Sequence, residues 1–167
     1  RAALEQGKTT LRFPLTFVSA TIRSIGDTGE AEELTLLSTG RSTFVGSGLG
    51  RKSNVRKGLN QHLNNVLVPA GAVFSFNQVL GPAVSQRNGW EMALTIFDGG
   101  VLRPAPGGGI CQVSTTAFRA ALRAGLPIVK QKSHSLFVTY YEAYGVGQDA
   151  TIFPGQQDFA FENNTGG

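Results

Sequence analysis

The sequence predicts an α+β fold, in which a small mixed or antiparallel sheet packs against one helix that carries a cysteine at its N-terminus. Short runs rich in β-branched and aromatic residues outnumber the helical patterns, and the two kinds are mixed along the chain. Glycine is abundant, at 22 of 167 residues, which favours many turns between short elements. A chain of this length can bury a core of its own.

The first half of the chain begins with extended structure and continues with helices. Residues 9–22 are typical of a strand, and residues 30–38 of a short amphipathic helix. A longer helix is predicted from Ser53 or Asn54, either of which can act as its N-cap. Its apolar residues recur at helical spacing: Val55, Leu59, Leu63 and Val66. Residues 73–76 follow as a strand.

The second half is predicted to contain a hairpin and further strands. The hairpin covers residues 90–102, with a glycine turn at residues 98–100. Further strand candidates are residues 133–141, 149–153 and 158–162.

Between the hairpin and these strands lies the best-marked helix of the chain. It opens at Cys111, and Gly125 with Pro127 forms a strong stop signal. Arg119 and Arg123 are spaced i, i+4, and we interpret them as a solvated face of this helix.

Charge and composition exclude several functions. The net charge is +4, but Lys and Arg cluster only at residues 51–57, so we expect no nucleic-acid partner. A mildly basic surface suits an anionic polymer such as a bacterial wall. One cysteine and two histidines are too few for a structural zinc site. The longest apolar run, residues 66–74, is far shorter than the ~20 residues needed to span a bilayer.

Cys111 is the residue that most strongly suggests chemistry. It follows three glycines and opens a helix, where unpaired N–H groups and the helix dipole favour a thiolate. Gly108 and Gly109 leave the backbone bare, so that a substrate carbonyl can approach the thiol. The alternative is a small buried apolar residue, but the glycine run favours a nucleophile.

A catalytic thiol needs a base and an orienting group. His134 is the candidate base, and Asp149 is the candidate orienting group, with a turn cap as the alternative for Asp149. The order Cys, His, Asp is that of papain-like and transglutaminase-like cores, which is an analogy of fold alone. The other histidine, His62, borders the apolar stripe of the first long helix and is interpreted as structural.

Three further polar residues are candidates for substrate binding. Ser114 and Thr115 lie in the first turn of the helix, where hydroxyls favour backbone hydrogen bonds, with substrate binding as the alternative. Asn77 follows a strand and is a candidate to face the cleft.

The run GGGICQVSTTAFRAALRAGLPIV at residues 107–129 resembles the signature of the VanW domain family of bacterial envelope proteins. Other shared marks are FSFN at 74–77, LGP at 80–82, Gly89-Trp90 where the family has Gly-Tyr, HS at 134–135, YY at 140–141, DAT at 149–151 and FENNT at 161–165. By this resemblance, residues 38–167 form the VanW-like domain. Residues 1–37 are a lead-in segment or the tail of a preceding wall-associated domain.

Some members of the family are cysteine L,D-transpeptidases, and the resemblance implies the same chemistry here. Cys111 would be the nucleophile and His134 its base. The Cys111 amide, with that of Gln112 or a glycine, would hold the oxyanion. The partner would be a peptidoglycan stem peptide outside the cytoplasm, with no cofactor and no metal. The alternatives are a cysteine peptidase or carboxypeptidase that uses water, and a non-catalytic wall-binding module.

Overall fold

The structure, a computed structural model, describes residues 17–25 and 34–165 and confirms the α+β class. Its strands are β1 (Phe17–Ile25), β2 (Leu34–Thr43), β3 (Val73–Ser75), β4 (Met92–Phe97), β5 (Val101–Pro106), β6 (Ile128–Lys130) and β7 (Ala160–Glu162). Its α-helices are α1 (Leu49–Lys57), α2 (Phe76–Leu80) and α3 (Ile110–Arg123). None of these described helices combines the length and the apolar character that crossing a membrane requires.

The described strands form three small antiparallel sheets. β1 pairs with β2, β4 pairs with β5 as the predicted hairpin, and β7 lies between β3 and β6. The core between the three-stranded sheet and α3 is rich in phenylalanine: Phe74, Phe118, Phe159 and Phe161 are buried and their rings are in contact.

Helix α3 lies at the centre of the molecule. Every residue from Gln112 to Ala121 is buried, so neighbours cover it on all sides. It ends as predicted: Gly125 has φ +75°, and the amide of Leu126 donates to the carbonyl of Ala121, which closes the last turn. Arg123 is exposed as expected, but the prediction of a solvated Arg119 is wrong, because this side chain is fully buried.

The β1–β2 hairpin covers one side of α3. A Cβ atom at Gly40 would lie 1.9 Å from the carbonyl oxygen of Thr116, so only glycine lets the β2 backbone come this close to the helix. Ser42 and Thr116 also share a hydrogen bond of 2.7 Å. The helix expected at residues 30–38 is wrong from residue 34 onward, where β2 pairs with β1 instead, and its first residues lie outside the described part. The division of the chain after residue 37 falls within β2 and stays a prediction.

Helix α1 begins at Leu49, with Gly48 as its N-cap, and continues as a π-helix over Gly58–Leu63. The predicted start at Ser53 or Asn54 is therefore too late. Asn54 is buried within the helix, where its side chain bonds both backbone groups of Glu91 and the carbonyl of Gly108. These bonds tie α1 to the residue before β4 and to the glycine run before α3.

Two predicted strands are wrong. Residues 133–141 form an irregular segment that enters a 3₁₀-helix over Thr139–Tyr144, and residues 149–153 are a loop with one isolated bridge at Phe153. Of residues 158–162, only the part that forms β7 is a strand. The apolar, β-branched composition of these segments predicts strands, but the carbonyls of Tyr141 and Gln148 accept bonds from a buried arginine and not from a strand.

Candidate active site

Cys111 is the second residue of α3, and its side chain is partly exposed. Its Sγ atom lies 3.6 Å from the hydroxyl oxygen of Thr151 and 3.5 Å from the carbonyl oxygen of Ile152. The helix begins after Gly109, whose φ of +106° is a conformation that favours glycine. The thiol therefore sits where the helix leaves its first amide groups unpaired.

The glycines before the thiol fit the start of α3 against its neighbours. A Cβ atom at Gly108 would lie 2.4 Å from the carbonyl oxygen of Ala93 in β4, and one at Gly109 would lie 2.8 Å from Cγ of Arg51. The run thus packs against the protein's own backbone and side chains on this face. Sequence reasoning assigned the bare backbone to the approach of a substrate and did not anticipate this packing.

The amide groups near the thiol differ in their availability. The amide of Gln112 donates to the carbonyl of Gly109, at 3.0 Å, and that of Ile110 donates to Gly107, at 3.1 Å. Within the described residues, no backbone hydrogen bond from the amides of Gly109 or Cys111 is found. These two amides, and not that of Gln112, are the available donors for an oxyanion.

His134 lies in the irregular segment after β6 and forms a close pair with Asp149. Its Nδ1 atom is 2.5 Å from Oδ2 of Asp149, and its own backbone amide donates to the same oxygen at 2.8 Å. The two side chains are only 4% and 15% exposed. One carboxylate oxygen thus fixes both the backbone and the ring of His134, which leaves Nε2 for Cys111.

The three groups shift one another's ionisation. Burial disfavours a thiolate, but the hydrogen bond and positive charge of His134 outweigh burial and lower the pKa of Cys111. Burial also disfavours an imidazolium, yet the bonds to Asp149 and Cys111 raise the pKa of His134 to about 9. The pKa of Asp149 is lowered, because its bonds to His134 outweigh its burial. All three shifts favour the charged forms, a thiolate and an imidazolium beside a carboxylate.

Gln112 is fully buried and connects α3 to the elements before it. Its Nε2 donates to the hydroxyl of Ser42 and the carbonyl of Thr43, at 3.0 and 2.7 Å, and its Oε1 accepts from Arg51 at 2.6 Å. The side chain thus has partners at both ends within the protein, which suits support of the helix start.

Ser114 and Thr115 are also fully buried. Ser114 donates to the carbonyl of Ala150, at 2.5 Å, while Oγ1 of Thr115 accepts from the amide of Ala150 at 3.1 Å. Both backbone groups of the residue after Asp149 are therefore held by α3. Both hydroxyls thus form hydrogen bonds with backbone groups, which is the interpretation that their position in the first turn of the helix favours.

Asn77 bonds the segment that leads into β7. Its amide donates to Oδ1 of Asp158, at 2.9 Å, and its Nδ2 to the carbonyl of Gln157, at 2.8 Å. Its Oδ1 is buried and has no hydrogen-bond partner among the described residues. These hydrogen bonds of Asn77 join α2 to the segment before β7 and involve neither Cys111 nor His134.

Two further residues lie next to this arrangement: Tyr141, which the sequence indicates as core or groove wall, and Arg119, which sequence reasoning missed. Tyr141 is buried, and its ring lies edge-on to that of His134, with 5.9 Å between ring centroids. The guanidinium of Arg119 donates a hydrogen bond to the backbone carbonyl of Tyr141, in the 3₁₀-helix over Thr139–Tyr144. Its signal was present as a polar stripe, because Gln112, Thr116 and Arg119 recur at helical spacing on α3, but such a stripe is as typical of a solvated face.

A pocket of about 270 Å³ adjoins the His134–Asp149 pair. Its walls include Phe137 and Val146, which are both 65% exposed, and Tyr141. The space beside the histidine is thus open and largely apolar.

These features define a class: an α+β protein with a cysteine at a helix N-terminus, next to a histidine that a carboxylate orients. Residues 50–167 match the family model described as VanW like protein, and the chain belongs to this family. It is also similar to the uncharacterized protein YoaR of Bacillus subtilis (strain 168), with 41% identity over 120 residues. That match covers 72% of this chain and 38% of YoaR. No solved structure matches.

Proposed function

We propose that this chain is a cysteine-dependent acyl transferase, an L,D-transpeptidase that cross-links peptidoglycan stem peptides outside the cytoplasm. The arrangement of Cys111, His134 and Asp149 carries the proposal, because it stores a nucleophile and a proton donor side by side. The substrate class comes from the resemblance to VanW-domain transpeptidases.

In the first step, the thiolate of Cys111 attacks the carbonyl carbon between the third residue of a tetrapeptide stem and its D-Ala. The amides of Cys111 and Gly109 stabilise the oxyanion of the tetrahedral intermediate. His134 gives its Nε2 proton to the leaving nitrogen as the C–N bond breaks. The products are a thioester, free D-Ala and a neutral imidazole.

In the second step, the side-chain amine of a third residue in another stem attacks the thioester. The neutral imidazole of His134 accepts a proton from this amine, and the C–S bond breaks. A new amide joins the two third residues, and the thiolate–imidazolium pair is restored. Asp149 keeps the same ring tautomer through both steps, since it holds Nδ1.

The test is incubation of the protein with disaccharide-tetrapeptides, followed by mass spectrometry. We expect dimers and free D-Ala from the wild type, and neither from Cys111→Ala or His134→Ala. His62→Ala is the matched control, because it also removes a partly buried histidine, but one outside the candidate site. His62 stacks on Trp90 and bonds the backbone of Val79.

Three other outcomes would contradict the proposal. Shortened monomers without dimers would identify a carboxypeptidase or peptidase, in which water resolves the thioester. Unchanged substrate, with a folded protein and a reduced thiol, would favour a wall-binding module. Cross-linking that survives in Cys111→Ala would show that another group is the nucleophile.

A further inference from the structure

Arg119 is a fully buried cation bound by carbonyl groups. Its guanidinium donates to the carbonyls of Gln148 at 2.8 Å, Tyr141 at 3.1 Å, Arg41 at 3.2 Å and Gly145 at 3.3 Å. Within the described residues, no carboxylate forms an ion pair with it. Burial is the main cause that lowers the pKa of Arg119, which marks the cost of placing a charge here.

Three of the four acceptors belong to one segment, residues 141–148, and this segment ends next to Asp149. The guanidinium thus holds the backbone that delivers the carboxylate to His134. The carbonyls of Gln148 and Tyr141 are seven residues apart in sequence, and Arg119 binds both from inside the loop. No main-chain strand pairing holds this segment within the described structure.

Arg119 is also connected to His134 indirectly, because the ring of Tyr141 contacts both side chains. The guanidinium carbon lies 5.4 Å from the ring centroid of Tyr141, and that ring is edge-on to the imidazole, with 5.9 Å between centroids. The titratable groups against His134 are therefore Cys111 from α3, Asp149 from the loop and Tyr141 from the 3₁₀-helix.

We propose that Arg119 is a positioning residue for the site: from within α3, it fixes the loop of residues 141–148 so that Asp149 and Tyr141 meet His134 in line with Cys111. This inference rests on the proposed function only where turnover is concerned. The reactivity of the thiol tests it without any substrate.

Holding this loop requires the planar, forked guanidinium of an arginine. Its nitrogens reach four carbonyls in diverging directions, which a lysine ammonium on a narrower head cannot do at once. Arg123 is the matched control: it lies one turn further along α3, is exposed, and donates to the carbonyls of Thr39 and Tyr144. It binds the same segment at a single carbonyl, from the exposed side of α3, and none of its hydrogen bonds goes to Tyr141 or Gln148.

The experiment compares wild type, Arg119→Lys and Arg123→Lys in two measurements. The first is the pH profile of Cys111 alkylation by iodoacetamide, and the second is the NMR titration of His134. We expect Arg119→Lys to alkylate about tenfold more slowly near pH 6 and to lower the pKa of His134, with rates that converge at high pH. Arg123→Lys should overlay the wild type in both.

A folded Arg119→Lys with wild-type profiles would overturn the inference, because a purely structural arginine changes stability and leaves the ionisation of the site alone. If Arg119→Lys does not fold, the neutral Arg119→Gln replaces it: the inference then requires a lowered pKa of His134, and an unchanged one overturns it. A wild type that makes no cross-links would refute the proposed function but leave both measurements valid.

Discussion

Replacing Cys111 by alanine should change how the free energy of unfolding depends on pH. Between the ordinary histidine pKa of 6.5 and the ordinary cysteine pKa of 9.0, the raised pKa of His134 and the lowered pKa of Cys111 favour a folded pair with one proton, on His134. The unfolded chain also carries one proton there, on the cysteine. Because the two states bind equal numbers of protons, the pair gives the wild type almost no pH dependence in this range.

The cancellation has two parts of opposite sign. The raised pKa of His134 contributes stability that is complete below pH 6.5 and is lost as pH rises through about 9. The lowered pKa of Cys111 contributes stability that is complete above pH 9.0 and is lost as pH falls. In Cys111→Ala only the first part remains, and it is smaller, because Asp149 still raises the pKa of His134 but the bond and charge of Cys111 no longer do. Each pH unit then costs up to about 1.4 kcal/mol.

Urea unfolding near pH 7 and pH 8 measures this difference. The pair should change the stability of the wild type by a few tenths of a kcal/mol, and Cys111→Ala should lose up to about 1 kcal/mol more than the wild type does. All other titrating groups are common to both chains, so the comparison removes them. Equal slopes would mean that Asp149 alone does not hold the pKa of His134 above its ordinary value, which would refute the role given to the carboxylate.

Three further predictions concern the site and its supports. Asp149→Asn should slow alkylation of the thiol about tenfold near pH 6, because the imidazolium loses its carboxylate; a profile identical to the wild type would contradict this. Gly40→Ala should lower the free energy of unfolding by about 3 kcal/mol in urea titrations, while Gly48→Ala, which has open space around it, should change it little. Asn54→Ala should cost about 3 kcal/mol in the same assay, because it leaves buried backbone groups unpaired, and the exposed Asn60→Ala should stay within about 0.5 kcal/mol.

Local signals were enough to predict the central helix and the order of the site residues. Gly125 and Pro127 mark the end of α3, and Cys111 after a glycine run marks its start. The spacing of His134 and Asp149 along the chain allowed the segment to return to the helix, and the structure brings the three side chains together. These features depend on residues close in sequence or on chain length alone.

The supports of the site could not be predicted in the same way. The segment at residues 133–141 has the composition of a strand, but whether it forms one depends on a partner strand, and the acceptors in its backbone meet Arg119 instead. Likewise, the side chain of Asn54 has the character of a helix cap, but its position in α1 is decided by Glu91 and Gly108, which are distant in sequence. Buried polar networks are specified by tertiary contacts, which composition and periodicity do not contain.

The close fit of β2 against α3 has a consequence for how the folding unit is delimited. The family match begins at residue 50, after β2 ends at Thr43. A protein cut at that point would lose the acceptors of Gln112 at Ser42 and Thr43, and would expose the helix backbone that Gly40 covers. The stretch of sequence that matches the family and the stretch that packs together therefore differ in length, and the helix that carries Cys111 depends on the part outside the match.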